Sequence, residues 1–285
     1  MAAGITIEPG TVKIDRYAVV GNPVSHSLSP KIHRLFALQT QQSISYEAIE
    51  LPLDDFAAQI RELQLQGMKG LNVTVPFKQQ AWEICDQRTP RAEIAGAVNT
   101  IIFNEDGSIV GDNTDGTGLV RDLEKNHRIA IHHCKILILG AGGAVRGVLE
   151  PLMALAPDSI TIANRTPDKA RQLVSDFQSR TGINACGYDD LGMDKYDLVI
   201  NATAAGINNQ VPPLPASVLA SHSICYDMMY KLDEPTAFVR WAQNHEAAEA
   251  IDGLGMLVEQ AAESFSIWRG VAVNSAIIIA DLRHS

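Results

Sequence analysis

The sequence has little that belongs to an oxidising compartment. Its four cysteines, Cys85, Cys134, Cys186 and Cys225, lie far apart and form no C-x-x-C pair. They read as reduced, mostly packed thiols, not as a disulfide framework or a zinc site. There is no Lys/Arg run, and the formal net charge is −10, which argues against a nucleic-acid partner. An anionic small ligand stays compatible with that charge, because a few local cations outweigh distant acids once salt screens them. No apolar run approaches the ~18 residues of a membrane helix. The start, MAAGITIEPG, lacks the basic residues and apolar core of a secretory leader. The expectation is a soluble, cytoplasmic protein.

Repeats and low-complexity segments are absent, and aromatics make up only 6%. What is present is 285 residues at 46% hydrophobic, rich in Ile, Leu, Val and Ala. That suffices to bury the core of one large domain or two medium ones. Strand and helix signals alternate through the first part. Strands are expected at 17–21, 45–51 and 70–75, helices at 29–40, 53–64 and 77–85, and a short hairpin at 97–103 and 108–111 around NEDG. A second series begins near residue 116, with apolar strands at 135–140, 159–164, 196–201 and 222–228. Helical crossovers between them favour a parallel sheet covered on both faces. The tail reads as helical. The expectation is an α/β protein of two lobes, dividing near Asp115 and again near Asp252: residues 1–114 completed by the returning helices of 253–285, and residues 115–252.

After the strand at 135–140 comes Gly140-Ala141-Gly142-Gly143-Ala144. Gly140 and Gly142 supply two glycines of a G-x-G-x-x-G turn, and Val145 stands where the third belongs. As a motif it is partial. Its context raises it, because a turn between a strand and a helix aims backbone N–H groups and the helix dipole at a pyrophosphate. About twenty residues on, an NAD site would place Asp or Glu to hold the ribose 2′-hydroxyl. This chain has Asn164, Arg165 and Thr166. A permanent planar cation suits a 2′-phosphate, with Lys169 adding charge, so the expected cofactor is NADP. Thr166 before Pro167 also reads as a helix N-cap.

Further polar stretches are HSLSP (26–30), NVTVPFK (72–78), AGAVNT (95–100), GDNTDG (111–116), YDMMY (226–230) and GLGMLVEQAAESF (253–265). With GAGGA and NRT, they stand in family order across nearly the whole chain, which closely resembles the shikimate dehydrogenase family. The resemblance implies a substrate lobe and a Rossmann-like, doubly wound nucleotide lobe flanking a cleft. It also implies NADPH-dependent, reversible reduction of 3-dehydroshikimate to shikimate in aromatic amino-acid biosynthesis.

Carried over residue by residue, it implies Lys78 as acid/base with Asp115 as its partner. The chemistry is sensible, because reducing a ketone builds alkoxide character that needs a proton and a nearby positive charge. Taken alone, Lys78 would be a solvated helix-start lysine and Asp115 a helix cap. The family's carboxylate contacts fall on Ser27 and Ser29, whose ordinary reading is helix capping. Other substrate contacts fall on Asn72, Thr74, Asn99, Tyr230 and Gln260. Asn72 and Thr74 are two apart along an expected strand, hence on one face. Gln260 lies one helical turn from Met256. On the cofactor side, Gly140 to Ala144 match the pyrophosphate loop and Asn164, Arg165, Thr166 and Lys169 the 2′-phosphate site. Thr203, Met228 and Gly253 match the nicotinamide half. Ala204 and Ala205 depart from the Ser-Ser form associated with bacterial members, which removes side-chain hydroxyls there.

Two rival readings remain. One is a broader quinate/shikimate dehydrogenase that also uses NAD; Ser29 and Arg165 count against it, since quinate-preferring relatives tend to carry Thr at the second serine. The other is a non-catalytic sensor on the same fold. Such a protein is expected to have lost Lys78 or Asp115 or to have gained a basic segment, and neither is seen. Monomer and homodimer stay open. Arg165→Asp should move cofactor preference toward NAD, because a carboxylate repels the 2′-phosphate and binds the 2′-hydroxyl. The ratio of kcat/KM with NADP and NAD tests this, and an unchanged ratio removes Arg165 from the argument.

Overall fold

In the computed structural model, residues 14–177, 182–203, 205 and 209–284 are described. The start at 1–10, where no secretory leader is expected, and Ala204 lie outside them.

Two six-stranded sheets organise the chain. The first contains β1 (Asp15–Gly21), β2 (Ile44–Glu50), β3 (Met68–Val73), β4 (Gln87–Arg88), β5 (Thr100–Phe103) and β6 (Ile109–Asp112), in the order β2-β1-β3-β5-β6-β4. β1 runs parallel to β2 and β3, whereas β5 is antiparallel to both β3 and β6. Along β1, Ala18 and Val20 face one core, shared with α2 (Phe56–Leu65) and α3 (Lys78–Ile84). Tyr17 points the other way and stacks on Trp268, with ring centroids 4.7 Å apart. The period of two is what a covered sheet requires.

The second sheet is entirely parallel. Its strands are β7 (Lys135–Leu139), β8 (Ser159–Ala163), β9 (Ile183–Cys186), β10 (Tyr196–Asn201), β11 (Leu219–Asp227) and β12 (Glu249–Asp252). The order β9-β8-β7-β10-β11-β12 winds outward both ways from β7, so its direction reverses between β7 and β10. That reversal opens the crevice in which doubly wound sheets bind ligands. Ile136 and Ile138 feed the core under α6 (Gly143–Met153); Leu137 and Leu139 feed the opposite core under α8 (Ala237–Asn244).

The C-terminal helices α9 (Leu254–Arg269) and α10 (Ser275–Arg283) return to the first sheet. There Val258, Ala261 and Phe265 pack with Ile32 and Phe36 of α1 (Ser29–Thr40). Helix α1 buries Ser29, Ile32, His33, Phe36 and Ala37, the i, i+3, i+4 spacing of one helical face.

Some elements differ from expectation. α2 starts at Phe56, not residue 53, because Asp55 takes a left-handed φ of 54°. β3 ends at Val73, so Thr74 falls in the following turn. β4, β9, β12, α4 (Pro90–Ala95) and α5 (Asp115–Arg121) are too short for periodicity to reveal.

α5 is the piece between the two sheets, and small residues let it be gripped closely. A Cβ added at Gly118 would sit 2.7 Å from Gln260 Cβ and 2.8 Å from the Met256 carbonyl oxygen of α9. One added at Gly147 of α6 would sit 3.1 Å from Asp115 Oδ2. Gly118→Ala should therefore lower stability by about 1–3 kcal/mol, the ordinary cost of overpacking. Gly142→Ala should cost less, about 0.5–1 kcal/mol for the poorer helix N-cap, because no described atom lies within 4 Å of its added Cβ. Denaturant midpoints of the two variants test the contrast.

Candidate active site

Lys78 opens α3 just after the turn that follows β3. Its neighbour Phe77, 1% exposed, stacks on Phe56 and anchors the turn. Lys78 Nζ reaches Asp115 Oδ2 at 2.5 Å, with only 16% and 7% of the two side chains exposed. Asp115 is the first residue of α5, with Thr114 at the N-cap. Its other oxygen, Oδ1, accepts from Asn99 Nδ2 at 2.7 Å. The carboxylate is thus held on both sides and cannot swing freely.

The loop leading to Asp115 is clamped. Asp112 is 4% exposed, and Arg91 donates to both of its oxygens, at 2.7 and 2.8 Å. Thr89 adds a third donor at 2.6 Å. Burial alone would raise the Asp112 carboxyl, but these donors overcome it and hold the group below the usual carboxylate range. Arg91 also donates to Glu263 of α9 at 3.0 Å, and Arg121 of α5 pairs with the same carboxylate at 2.8 Å. Four elements are tied at this point.

A polar network extends from Asp115 into the first lobe. Asn99 Nδ2 also contacts Thr114 Oγ1 at 3.0 Å and Gln260 Oε1 at 3.4 Å. Thr100 links Asn99 to Ser264, and Ser264 accepts from Asn72 Nδ2 at 3.0 Å. The Tyr46 hydroxyl donates to Asn72 Oδ1 at 2.8 Å. Ser29 N donates to Ser27 Oγ at 3.2 Å. Tyr230 and Leu28 both pack against the core shared by α1 and α9. Lys78, Asp115, Asn99, Gln260 and Asn72 therefore share one hydrogen-bonded network, and Ser29 lies one helical turn before His33, whose ring stacks on Tyr46.

Two expectations need correction. Asn72 and Thr74 do not alternate on one strand face, because Thr74 lies beyond β3. It packs against Gly21 and bonds through its backbone N–H to Val20 O at 2.9 Å. Ser29 is not the N-cap of α1; Leu28 is, and Ser29 is the first helical residue.

Across the cleft, Gly140 leaves β7 at φ +112°, a conformation that favours glycine, and Gly142 caps α6. Ala141 and Ala144 flank it, and a Cβ added at Gly143 would lie 3.8 Å from Lys78 Cβ. The glycine turn and the lysine thus face each other. The Gly140 backbone also abuts Ala202 and Thr203, at the end of β10. Asn164 Nδ2 donates to Thr166 O at 2.8 Å, shaping the bend after β8. Arg165, Thr166 and Lys169 lie at that bend and the helix start beyond it. Thr166 is the N-cap of α7 (Pro167–Asp176), yet among the described residues its side chain makes no capping bond. Thr203 Oγ1 donates to Asn201 Oδ1 at 2.7 Å, and Ala205 N approaches Thr203 Oγ1 at 3.4 Å. Met228 and Gly253 touch, since a Cβ at Gly253 would sit 2.4 Å from the Met228 carbonyl oxygen.

Pattern reasoning missed Tyr46, Arg91, Asp112, Thr114, Asn201, Asp227 and Ser264. Four of these sit inside stretches already noticed, GDNTDG, YDMMY and GLGMLVEQAAESF; the others carry no local signature.

Family models match at three places. They are the shikimate dehydrogenase substrate binding domain over residues 19–101, shikimate / quinate 5-dehydrogenase over 122–209, and the shikimate 5'-dehydrogenase C-terminal domain over 253–283. The chain belongs to the shikimate dehydrogenase family. A shikimate dehydrogenase (NADP(+)) of Alkalilimnicola ehrlichii is 57% identical over 269 residues, 94% of this chain and 98% of the relative. The Ael1 enzyme from Pseudomonas putida is 43% identical, with a TM-score of 0.86 covering 94% of this chain and 98% of that one. A shikimate 5-dehydrogenase from Thermus thermophilus, solved in complex with NADP(H) and shikimate, is 31% identical. Its TM-score is 0.83, covering 95% and 99%. The fold of the chain is α/β with two sheets. No described helix is long and apolar enough to cross a membrane.

Asp227, at the end of β11, is fully buried and accepts from Thr236 at 2.5 Å, Asn201 at 2.9 Å and Met229 N at 3.1 Å. Burial outweighs these donors and pushes its carboxyl up to about 6. The folded protein thus holds this proton more tightly than the unfolded chain, whose Asp titrates near ~3.9. The contribution to stability is full below about 4 and is lost as pH rises through about 6. Urea midpoints of wild type relative to Asp227→Asn should fall across that window; a constant difference refutes the assignment.

Proposed function

We propose that this chain carries out the NADP-dependent, reversible reduction of 3-dehydroshikimate to shikimate, with Lys78 as acid/base and Asp115 as its partner. The observation that carries the reading is the 2.5 Å Lys78–Asp115 contact, part-buried, at a cleft whose other wall is the glycine turn at the start of α6. The cofactor fits what is there. Gly142 leaves open space where a Cβ would stand, α6 begins at that point, and Arg165 lies exposed at the bend after β8. Gly140 to Ala144 would hold the pyrophosphate, with Asn164, Arg165, Thr166 and Lys169 around the 2′-phosphate and Thr203, Met228 and Gly253 on the nicotinamide side. Bound NADPH supplies the two reducing electrons.

The chain's own residues do the rest. Ser27 and Ser29 anchor the substrate carboxylate. Asn72, Thr74, Asn99, Tyr230 and Gln260 orient the ring, Thr74 from the turn beyond β3. Lys78 donates its Nζ proton to the oxygen of the ketone as negative charge builds on it, and takes a proton back in the reverse direction. Asp115 keeps the ammonium in place and Asn99 keeps Asp115 in place. In the same proposal the substrate lobe is 1–114 completed by 253–285, and the nucleotide lobe is 115–252. The protein works in the cytoplasm as a monomer or homodimer without nucleic-acid or membrane partners, in keeping with its four unpaired thiols.

Lys78→Ala should lower kcat by about 10²–10⁴, the usual weight of a general acid/base, while the Kd for shikimate changes little. Turnover is followed by the near-ultraviolet absorbance of the reduced nicotinamide, with NADP and with NAD. A near-normal kcat would remove Lys78 from the mechanism. Equal use of the two cofactors would favour the broader quinate/shikimate reading.

A further inference from the structure

We propose that Asp227 is a positioning residue of the hydride-transfer site. By this proposal its carboxylate ties together the strand ends that carry Thr203, Met228 and Gly253, and so fixes the surface on which the nicotinamide lies. The proposal deepens the functional reading and rests on its assignment of those three residues to the nicotinamide side.

Three neighbouring strands of the second sheet end in the same way. Asn201, Asp227 and Asp252 close β10, β11 and β12 and stand in register across the sheet. Each turns a side-chain oxygen onto the backbone N–H two residues on. Asn201 Oδ1 accepts from Thr203 N at 3.2 Å, Asp227 Oδ1 from Met229 N at 3.1 Å and Asp252 Oδ1 from Leu254 N at 3.1 Å. Such Asx turns shape the backbone where a strand gives way to a bend. Thr203, Met228 and Gly253 all lie within these three bends, at the carboxyl ends of the strands, where doubly wound sheets bind ligands.

Asp227, the middle one, joins the bends. Its Oδ1 also accepts from Asn201 Nδ2 at 2.9 Å. Its Oδ2 accepts at 2.5 Å from the Thr236 hydroxyl, whose oxygen in turn receives Val239 N and starts α8. On the other side, the Met229 carbonyl accepts from Gly253 N at 2.9 Å. An ionised carboxylate only accepts, so Asn201 must aim Nδ2 at it. That leaves Asn201 Oδ1 for Thr203, which donates to it from its backbone N–H and, at 2.7 Å, from its hydroxyl. The carboxylate sets the amide, and the amide sets the threonine.

Asp227 and Asn201 are both 0% exposed, so they act on a ligand only through the residues they hold. Asp252, next along the sheet, has the Arg283 guanidinium at 2.8 Å. Among the described residues, the hydrogen bonds to Asp227 come from neutral groups only. Burial accordingly pushes its carboxyl up to about 6, and the fold keeps the charge against a desolvation cost. Groups held in that way cluster at functional sites.

The test compares NADP with adenosine 2′,5′-bisphosphate, which has the 2′-phosphate and no nicotinamide. The variants are Asp227→Ala, Asp227→Asn and Asn201→Leu, the last keeping the volume of the side chain. Calorimetry gives each Kd, turnover gives kcat, and urea midpoints establish that each variant is folded where it is assayed. Asp227→Ala and Asn201→Leu should weaken NADP about 3- to 10-fold, the worth of one neutral hydrogen bond. They should also lower kcat at least about 10-fold, because a displaced nicotinamide misses its reacting geometry. The bisphosphate Kd should hold within about 2-fold, inside the scatter of the same estimate. Asp227→Asn should restore the NADP Kd to within about 2-fold of the unaltered protein. Its amide oxygen stays at the Oδ1 position, and its nitrogen donates to Thr236, whose hydroxyl turns to accept. Equal losses for the two ligands would make Asp227 a structural residue and overturn the proposal. An unmoved NADP Kd, or a loss in Asp227→Asn as large as in Asp227→Ala, would overturn it too. Asn201→Leu carries the same comparison if Asp227→Ala does not fold. Failure of the unaltered protein to bind the bisphosphate would instead overturn the cofactor reading beneath the proposal.

Discussion

The arrangement of the cleft depends on how closely α5 is gripped between α6 and α9. Three glycines make the grip: Gly118 against Met256 and Gln260, Gly147 against Asn113 and Asp115, and Gly116 against Pro151 and the Gly147 carbonyl. Glycine there trades backbone entropy for approach, since a side chain would force the helices apart. The consequence is functional geometry. Asp115 begins α5, Gln260 lies on α9, and the nucleotide turn begins α6, so one packing contact sets three groups relative to one another. The part-buried Arg91–Asp112–Glu263–Arg121 cluster ties the same crossing electrostatically. Removing Arg91 would strand the buried Asp112 charge, which costs more than the pairing contributes.

Charge is distributed to match. The chain is acidic overall, yet Arg165 and Lys169 stand exposed at the bend after β8 and the start of the helix beyond it. At physiological salt the screening length is about 8 Å, so these local cations govern what an anionic ligand meets. The many acids elsewhere act on solubility and weakly on the site. Inside the substrate lobe the opposite strategy holds: Asn72, Asn99, Thr100, Thr114 and Ser264 are buried, neutral and mutually hydrogen-bonded. Such a network rigidifies the floor of the site without the desolvation cost of buried ions.

Much was legible before the fold was known, for identifiable reasons. Helix α1 appears at its expected bounds because Ser29-Pro30 and the spacing of Ile32, His33, Phe36 and Ala37 act within a few turns. The parallel sheet of the second half was readable because strands covered on both faces are continuous apolar runs, as in KILIL and YDLVIN. The short elements β9, β12 and α5 were not, since four to seven residues contain too few periods. Thr74 was misread because nothing local marks Val73 as the last residue of β3; pairing with β5 ends at Asn72 and with β1 at Val73.

The sequence by itself determined the strand–helix series, the glycine turn at 140–144, the cation that follows β8 and the identities of Lys78 and Asp115. Each is a property of a short stretch, governed by backbone conformation, periodicity or residue chemistry. Only the tertiary structure decided that Lys78 meets Asp115, that Arg91 clamps Asp112, and that Tyr46 meets Asn72. Asn72 and Ser264 are 192 residues apart, and no local rule links them. Their contact follows from α9 returning to the first sheet, where the free energy of burying Val258, Ala261 and Phe265 against α1 brings together polar groups that the chain keeps far apart.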